Sequence, residues 1–404
     1  MSTDKPRPPL QPITRANHPD RADPPPGNRS LVAPIWQSVK FEFDTVESTE
    51  RMFRGQQDGY FYSRSGNPTT RELERLVAEL QGRDDCIVTA SGIAAVSTTL
   101  LALLGRGDHL LCFVETYGPT RYLLRRLLPR FGVEYTMLSV EDAAGIERTL
   151  AERPTRLVWF ESPTNPALKI VDVEWLTALA HRHGALAVLD NTFAGLHHHG
   201  RYPVDVYVHS LTKYAAGHGD VLAGAIIGSS ALLRRMREDA IHLGPALDPH
   251  AAFLVLRGLK TYHLRRAAQC ANALRVAGFL AGHPRVDRVR YPGLPTDPGH
   301  ALARVQCPDF GSMVTIDLAG TADHARRFTC RHQPPPTVGM GGSTNGPRCG
   351  PGFRRAARST SASSEPPRRP APGRPGAPSR PRARSPRARP LPRLRVARGG
   401  LAPH

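Results

Sequence analysis

Short apolar runs that alternate with helix-patterned segments restrict this chain to a narrow set of folds. Four such runs are Cys86-Ile87-Val88-Thr89, His109-Leu110-Leu111-Cys112-Phe113-Val114, Arg156-Leu157-Val158-Trp159-Phe160 and Ala185-Leu186-Ala187-Val188-Leu189. The first reads as a short strand and the others as apolar strands, the last of them, Ala185 to Leu189, as a strand buried on both faces of the kind parallel sheets require. Between them lie segments of helical character. Leu73, Leu76, Val77 and Leu80 are spaced as one face of a helix over residues 70–80, residues 92–104 are mostly apolar, and residues 122–131 and 173–183 are helix-like. The crossovers are long enough for parallel pairing, and the pattern predicts an α/β sandwich with a mainly parallel sheet.

The same pattern divides the chain. Residues 1–45 read as a flexible Pro-rich arm, residues 46–250 as the large domain, and residues 251–330 as the start of a smaller α/β domain. That start has helices over 251–259 and 264–281 and alternating strands over 285–291 and 312–318. Beyond Cys330 the periodicity vanishes. The last 74 residues hold 16 of the 39 prolines, 16 arginines, no lysine and one acid, Glu365. Such a composition cannot bury enough apolar surface to fold; it reads as a disordered basic tail or as the product of a shifted reading frame. The tail also accounts for most of the net charge of +19, leaving a nearly neutral body, so only non-specific nucleic-acid binding is expected.

No run of about 18 apolar residues and no signal-peptide core occur, which predicts a cytoplasmic protein that neither spans nor enters a membrane. The six cysteines show no paired metal spacing. His197-His198-His199 are adjacent, so their side chains are expected to diverge into a solvated loop, and no metal site is predicted.

Chemistry concentrates around Lys213. It follows an apolar run in Val208-His209-Ser210-Leu211-Thr212-Lys213-Tyr214 and precedes Gly217-His218-Gly219. A lysine so placed can form an imine with an aldehyde while the flanking hydroxyls hold a phosphate. Asp190, at the carboxyl end of the Ala185 run, lies at the sheet edge where open α/β folds bind ligands, and its carboxylate can pair with a pyridinium nitrogen. In Ala90-Ser91-Gly92-Ile93-Ala94 a strand gives way to a helix start, where the amides of Gly92 and Ile93 can bind an anion. Tyr62 and Arg64 offer a phenol and a guanidinium in an extended loop, suited to a phosphate, and Tyr117 could stack on a flat ring. The cofactor these parts fit is pyridoxal 5'-phosphate (PLP).

Six segments together resemble the trans-sulfuration, or Cys/Met metabolism, family of PLP-dependent enzymes of fold type I. They are Tyr62-Ser63-Arg64 with Asn67-Pro68-Thr69, Ser91-Gly92-Ile93-Ala94-Ala95, Glu161-Ser162-Pro163-Thr164-Asn165-Pro166, Asp190-Asn191-Thr192-Phe193, Ser210-Leu211-Thr212-Lys213-Tyr214 with Gly217-His218, and Leu256-Arg257-Gly258-Leu259-Lys260-Thr261. The resemblance runs from about Ser30 to Phe328. It implies that Lys213 carries the cofactor, Asp190 pairs with its ring nitrogen and Tyr117 stacks on the ring. Ser210, Thr212, Gly92 and Ile93 would hold the phosphate, with Tyr62 and Arg64 reaching in from a neighbouring subunit of a dimer or tetramer. Asn165 would lie near the cofactor's 3'-oxygen or the substrate carboxylate. The implied substrates are sulfur-containing or O-acylated amino acids, processed by elimination or replacement at Cβ or Cγ. Tyr117-Gly118-Pro119-Thr120 is similar to the form seen in many cystathionine β-lyases, which favours that activity over the γ-acting members. The family's later Arg-Leu-Ser-x-Gly segment, whose arginine clamps the substrate carboxylate, has no counterpart in this sequence, which predicts a chain with weakened folding, cofactor binding or turnover.

Overall fold

The computed structural model describes residues 27–324 apart from Arg29 and Ala322; the start of the expected arm and the whole of the Arg/Pro-rich tail lie outside the described residues. The centre is a seven-stranded sheet of β1 (Asp85–Thr89), β2 (His109–Phe113), β3 (Glu134–Leu138), β4 (Thr155–Glu161), β5 (Leu186–Asp190), β6 (Val206–His209) and β7 (Gly224–Gly228). Its spatial order is β1-β7-β6-β5-β4-β2-β3. From β6 to β3 every pairing is parallel, and β7 runs against both of its neighbours. The expected α/β sandwich is the observed architecture.

The continuous apolar runs are explained by burial on two faces. Leu111, Phe113, Val158, Phe160, Ala187 and Leu189 face one core, and Leu110, Cys112, Leu157, Trp159 and Val188 face the other. The first core is closed by α2 (Pro68–Gln81), α5 (Ala143–Glu152), α6 (Val173–Arg182) and α8 (Pro249–Leu259), the second by α3 (Gly92–Leu103) and α7 (Ser230–Leu243). The remaining helices are α1 (Val46–Phe53), α4 (Gly118–Tyr122), α9 (Tyr262–Ala281) and α10 (His300–Gln306). A separate antiparallel pair, β8 (Val286–Arg290) and β9 (Thr315–Leu318), lies over a small cluster of Ala273, Ala277 and Tyr291. Among the described residues no helix is long and apolar enough to cross a membrane.

Several elements depart from the sequence pattern. β7 reads Gly-Ala-Ile-Ile-Gly, too short and glycine-bounded to register as a strand, yet all five residues are buried. β3 is an edge strand of half-buried residues and lacks a continuous apolar run. The single helix expected over 122–131 is broken into α4, a π-helical stretch Leu123–Leu127 and a 3-10 turn Leu128–Phe131. Pro129 has no N–H to donate to a regular ladder. The histidine run expected in solvent is largely buried, with His198 8% and His199 4% exposed. Asn191 draws it inward, its Oδ1 meeting His199 Nδ1 at 2.7 Å while its Nδ2 donates to the carbonyls of Gly195 and His198.

A buried ion network locks β1 between helices of opposite layers. Arg237 of α7 donates Nη1 to both Glu74 oxygens of α2, and Nη2 to Asp85 Oδ2 and the Cys86 carbonyl of β1. Arg71 joins Glu74 and Asp85 from α2. Burial alone would raise the Asp85 carboxyl, but the Arg71 hydrogen bond and the Arg237 charge outweigh it and hold the group below its ordinary value. Without Arg237 the two carboxylates share Arg71 alone, leaving one excess negative charge in a largely buried place, so Arg237→Met should lower unfolding free energy by about 3 kcal/mol. A depressed carboxyl contributes stability above its unfolded value of about 4, and that contribution is lost as pH falls further. Denaturant unfolding of both proteins should therefore show the gap narrowing below about pH 4; a pH-independent gap would contradict the network's role.

Candidate active site

The carboxyl ends of β4, β5 and β6 open into a cavity of about 320 Å³, lined by Ser91, Gly92, Ile93, Tyr117, Glu161, Asn165, Asp190, Thr192, Phe193, Ser210, Thr212 and Lys213 among others. Eight of the ten residues singled out in the sequence thus meet at one place. Ligands of open α/β sheets bind at this edge because helix N-termini and strand-end side chains converge there.

Each wall has a local cause. Ser91 caps α3 by accepting the Ala94 N–H at 3.1 Å, which leaves the Gly92 and Ile93 amides of the first turn for an anion. Gly92 is required by packing: a Cβ there would lie 2.6 Å from Ser210 Cβ and 2.8 Å from Ser210 Oγ. The two phosphate-binding candidates, one from each side of the sheet edge, are therefore in contact. Thr212 is already engaged, its Oγ1 accepting the Ala223 N–H at 2.9 Å and donating to the Ala223 carbonyl at 3.2 Å. Ser210 Oγ has no such partner among the described residues and is the hydroxyl with a donor to offer.

Lys213 sits on a tight turn, donating its N–H to Ser210 O at 3.1 Å while its own carbonyl accepts from Gly217 at 2.8 Å. Gly217 has a φ of +72°, and a Cβ there would overlap the Arg265 guanidinium. Arg265 donates to the carbonyls of Tyr214, Ala215 and Gly258, so α9 grips the turn that presents Lys213.

The acidic floor is a pair rather than a single group. The register of β4 and β5 sets Glu161 beside Asp190. Glu161 is 5% exposed and accepts the Tyr117 N–H at 2.6 Å. Asp190 Oδ1 accepts both the N–H of Thr192 at 3.1 Å and its hydroxyl at 2.6 Å, leaving Oδ2 to a ligand. Burial, reinforced by the Asp190 charge, pushes the Glu161 carboxyl well above its usual range, against the opposing bonds from Tyr117 and Asn165. Burial likewise raises Asp190, against its bonds from Thr192. Two carboxyls of raised proton affinity, Glu161 buried and Asp190 half-buried, need a cation or a proton donor between them and solvent. A protonated aromatic nitrogen meets that need, while a phosphate fits the Gly92, Ile93 and Ser210 end. The residues present fit PLP.

Sequence reasoning places Glu161 in a motif but assigns it no role. The signal was available, since it ends an apolar strand just as Asp190 does. Tyr62 and Arg64 do not reach this cavity in their own chain. Arg64 lines a different cavity, of about 500 Å³, where its Nη1 donates to Ile241 O at 2.9 Å and its guanidinium lies 5.6 Å from the centre of the 40% exposed Tyr62 ring.

Residues 14–334 match the model of the Cys/Met metabolism PLP-dependent enzymes. The chain belongs to this family. Members similar to it include the L-methionine γ-lyase of Pseudomonas putida, 40% identical over 78% of this chain and 80% of that protein. The L-methionine γ-lyase of Fusobacterium nucleatum subsp. polymorphum is also 40% identical, over 72% of this chain and 75% of its own length. Among solved structures, the cystathionine γ-synthase of Xanthomonas oryzae pv. oryzae in complex with aminoacrylate and cysteine superposes with a TM-score of 0.70 at 35% identity, covering 74% of this chain and 76% of that one. This family member is accordingly a PLP-dependent trans-sulfuration enzyme.

The tight approach of Gly92 and Ser210 yields a direct test. Gly92→Ala forces Ser210 from its seat at a cost of about 1–3 kcal/mol, and PLP should bind correspondingly more weakly in an absorbance titration of the protein. Unaltered PLP affinity would show that this contact does not shape the phosphate end.

Proposed function

We propose that this chain acts at the γ-carbon of sulfur-containing or O-acylated amino acids, by elimination or replacement, with PLP carried on Lys213. The convergence of Lys213, the Glu161–Asp190 pair and the α3 N-terminus on one cavity carries the cofactor assignment. The γ-acting relatives support the choice of carbon. The Tyr117-Gly118-Pro119-Thr120 spelling, which favoured a β-lyase from sequence, has no comparable support.

PLP, when bound, supplies an electron sink for negative charge developing at the substrate Cα. The protein does the rest. Asp190, kept basic by burial and steered by Thr192, would hold a proton against the pyridine nitrogen. Glu161 fixes the Tyr117 backbone, and thereby the ring wall above the cavity. Lys213 would be the base placed to take the Cα proton and return it, and for γ-chemistry to take a second proton at Cβ. Asn165 lines the same cavity and would lie near the cofactor's 3'-oxygen or the substrate carboxylate.

The products decide between the two carbons. L-Cystathionine cleaved on the γ side gives cysteine and 2-oxobutyrate, whereas β-cleavage gives homocysteine and pyruvate. We expect 2-oxobutyrate from cystathionine, methionine or an O-acylated homoserine, and none from Lys213→Ala; pyruvate as the main keto acid would restore the β-lyase reading.

The placement of Tyr62 and Arg64 away from their own cavity supports a second part of the proposal, that they complete the phosphate site of a neighbouring subunit. If so, mixing inactive Arg64→Ala chains with inactive Lys213→Ala chains, after dissociation and reassociation, restores activity through hybrid sites. No recovery in mixed oligomers would place Arg64 outside the site.

A further inference from the structure

The turn that follows Asp190 meets the segment before β9 at a cluster that none of the roles above uses. The rings of His197 and His198 stand 4.0 Å apart instead of diverging. Both present Nε2 to one carboxylate: His197 Nε2 lies 3.3 Å from Asp309 Oδ2 and His198 Nε2 lies 3.2 Å from Asp309 Oδ1. One ligand atom from each of the three residues falls within 4.8 Å of the others. We propose that His197, His198 and Asp309 form a binding site for a borderline divalent cation of the zinc type.

Four observations support this site. Ligands about 2.0–2.1 Å from a tetrahedral ion lie roughly 3.3 Å apart, and the two nitrogen–oxygen separations, 3.3 Å and 3.2 Å to the two oxygens of Asp309, are close to that spacing. His198 is 8% exposed, and its Nε2 has no aligned hydrogen-bond partner despite the nearby carboxylate. His197 is already oriented, since its Nδ1 lies 2.9 Å from Tyr262 Oη, which also accepts the Leu196 N–H. A metal at Nε2 would shift the His197 proton to Nδ1, where Tyr262 Oη can accept it, as outer partners of metal-bound imidazoles commonly do. Finally, His197 is the exposed member of the cluster, the side from which an ion would enter.

Asp309 has other partners. Its Oδ1 accepts from the Gly311 N–H at 2.9 Å, from Arg266 Nη2 at 3.4 Å and from the Cys307 thiol at 3.5 Å, and its Oδ2 accepts from Arg266 Nε at 3.1 Å. Arg266 is the electrostatic competitor of the ion. Its charge is shared with the carbonyls of Phe193 and Ala194 and with the Tyr214 ring, 4.8 Å from the guanidinium carbon. Two imidazoles and a carboxylate suit zinc, nickel or copper better than magnesium or calcium. Occupancy would fasten the turn after Asp190 to residues 307–311.

The test is titration of the PLP-loaded, chelator-treated enzyme with zinc ions alone, followed by calorimetry and by metal analysis after gel filtration. One zinc per chain is expected. His198→Gln and Asp309→Asn should each weaken binding at least about tenfold, Arg266→Met should tighten it, and His242→Gln, at an exposed histidine of α7, should change nothing. The long-wavelength PLP absorbance and the unfolding midpoint report whether each variant is folded. If a variant fails to fold, the visible spectrum of the wild-type enzyme with cobalt ions decides, through intense bands of a low-coordinate nitrogen–oxygen site. Absent zinc binding, binding indifferent to His198→Gln and Asp309→Asn, or a cobalt spectrum of the hydrated ion would each overturn the proposal.

Discussion

Two carboxyl groups at the ends of adjacent parallel strands are the constraint around which this molecule is arranged. Glu161 and Asp190 are register neighbours on β4 and β5, in the part of the sheet buried on both faces. Water cannot stabilise their charge there as it does at a surface, and their proton affinities rise together. Everything near them answers that strain. Thr192 donates two hydrogen bonds to Asp190 and Tyr117 one to Glu161, the α3 N-terminus brings partial positive charge to the cavity, and Lys213 lines it as well. A flat cationic ring bearing a phosphate completes the balance, which is why the cavity suits PLP.

The parts of the fold legible in sequence were those whose physics is local. Apolar runs such as Arg156-Leu157-Val158-Trp159-Phe160 announced strands because both faces are covered, and α2 announced itself through its apolar stripe from Leu73 to Leu80. β7 stayed hidden because its burial comes from neighbours on both sides and not from its own glycine-flanked residues. The same division separates the site residues. Lys213 and Asp190 stand in strand-end positions that can be read one at a time. The role of Glu161 depends on a register between strands, and the engagement of Thr212 with Ala223 on a turn closing back over eleven residues. Neither can be read from spacing alone.

The histidine run shows the same limit from the other direction. Adjacent side chains on an extended or turning backbone do tend to diverge, and the expectation of three solvated rings followed from that. What overrules it is Asp309, more than a hundred residues later, whose carboxylate is held by Arg266 and Gly311 where it can receive both His197 and His198. Arg265 and Arg266 together join the Lys213 turn, the turn after Asp190 and residue 309 through α9. Positioning of the cavity is thus shared between the large sheet and the helix that packs across its edge.

Asp190, with Glu161 beside it, is proposed to hold a protonated ring nitrogen in this cavity. Nitrogen NMR of the protein loaded with PLP carrying a nitrogen-15 label in its ring measures that directly. The expected chemical shift is that of a protonated pyridine at neutral pH, moving toward the neutral form in Asp190→Asn. A neutral-nitrogen shift in the wild-type protein, or one indifferent to that substitution, would contradict it.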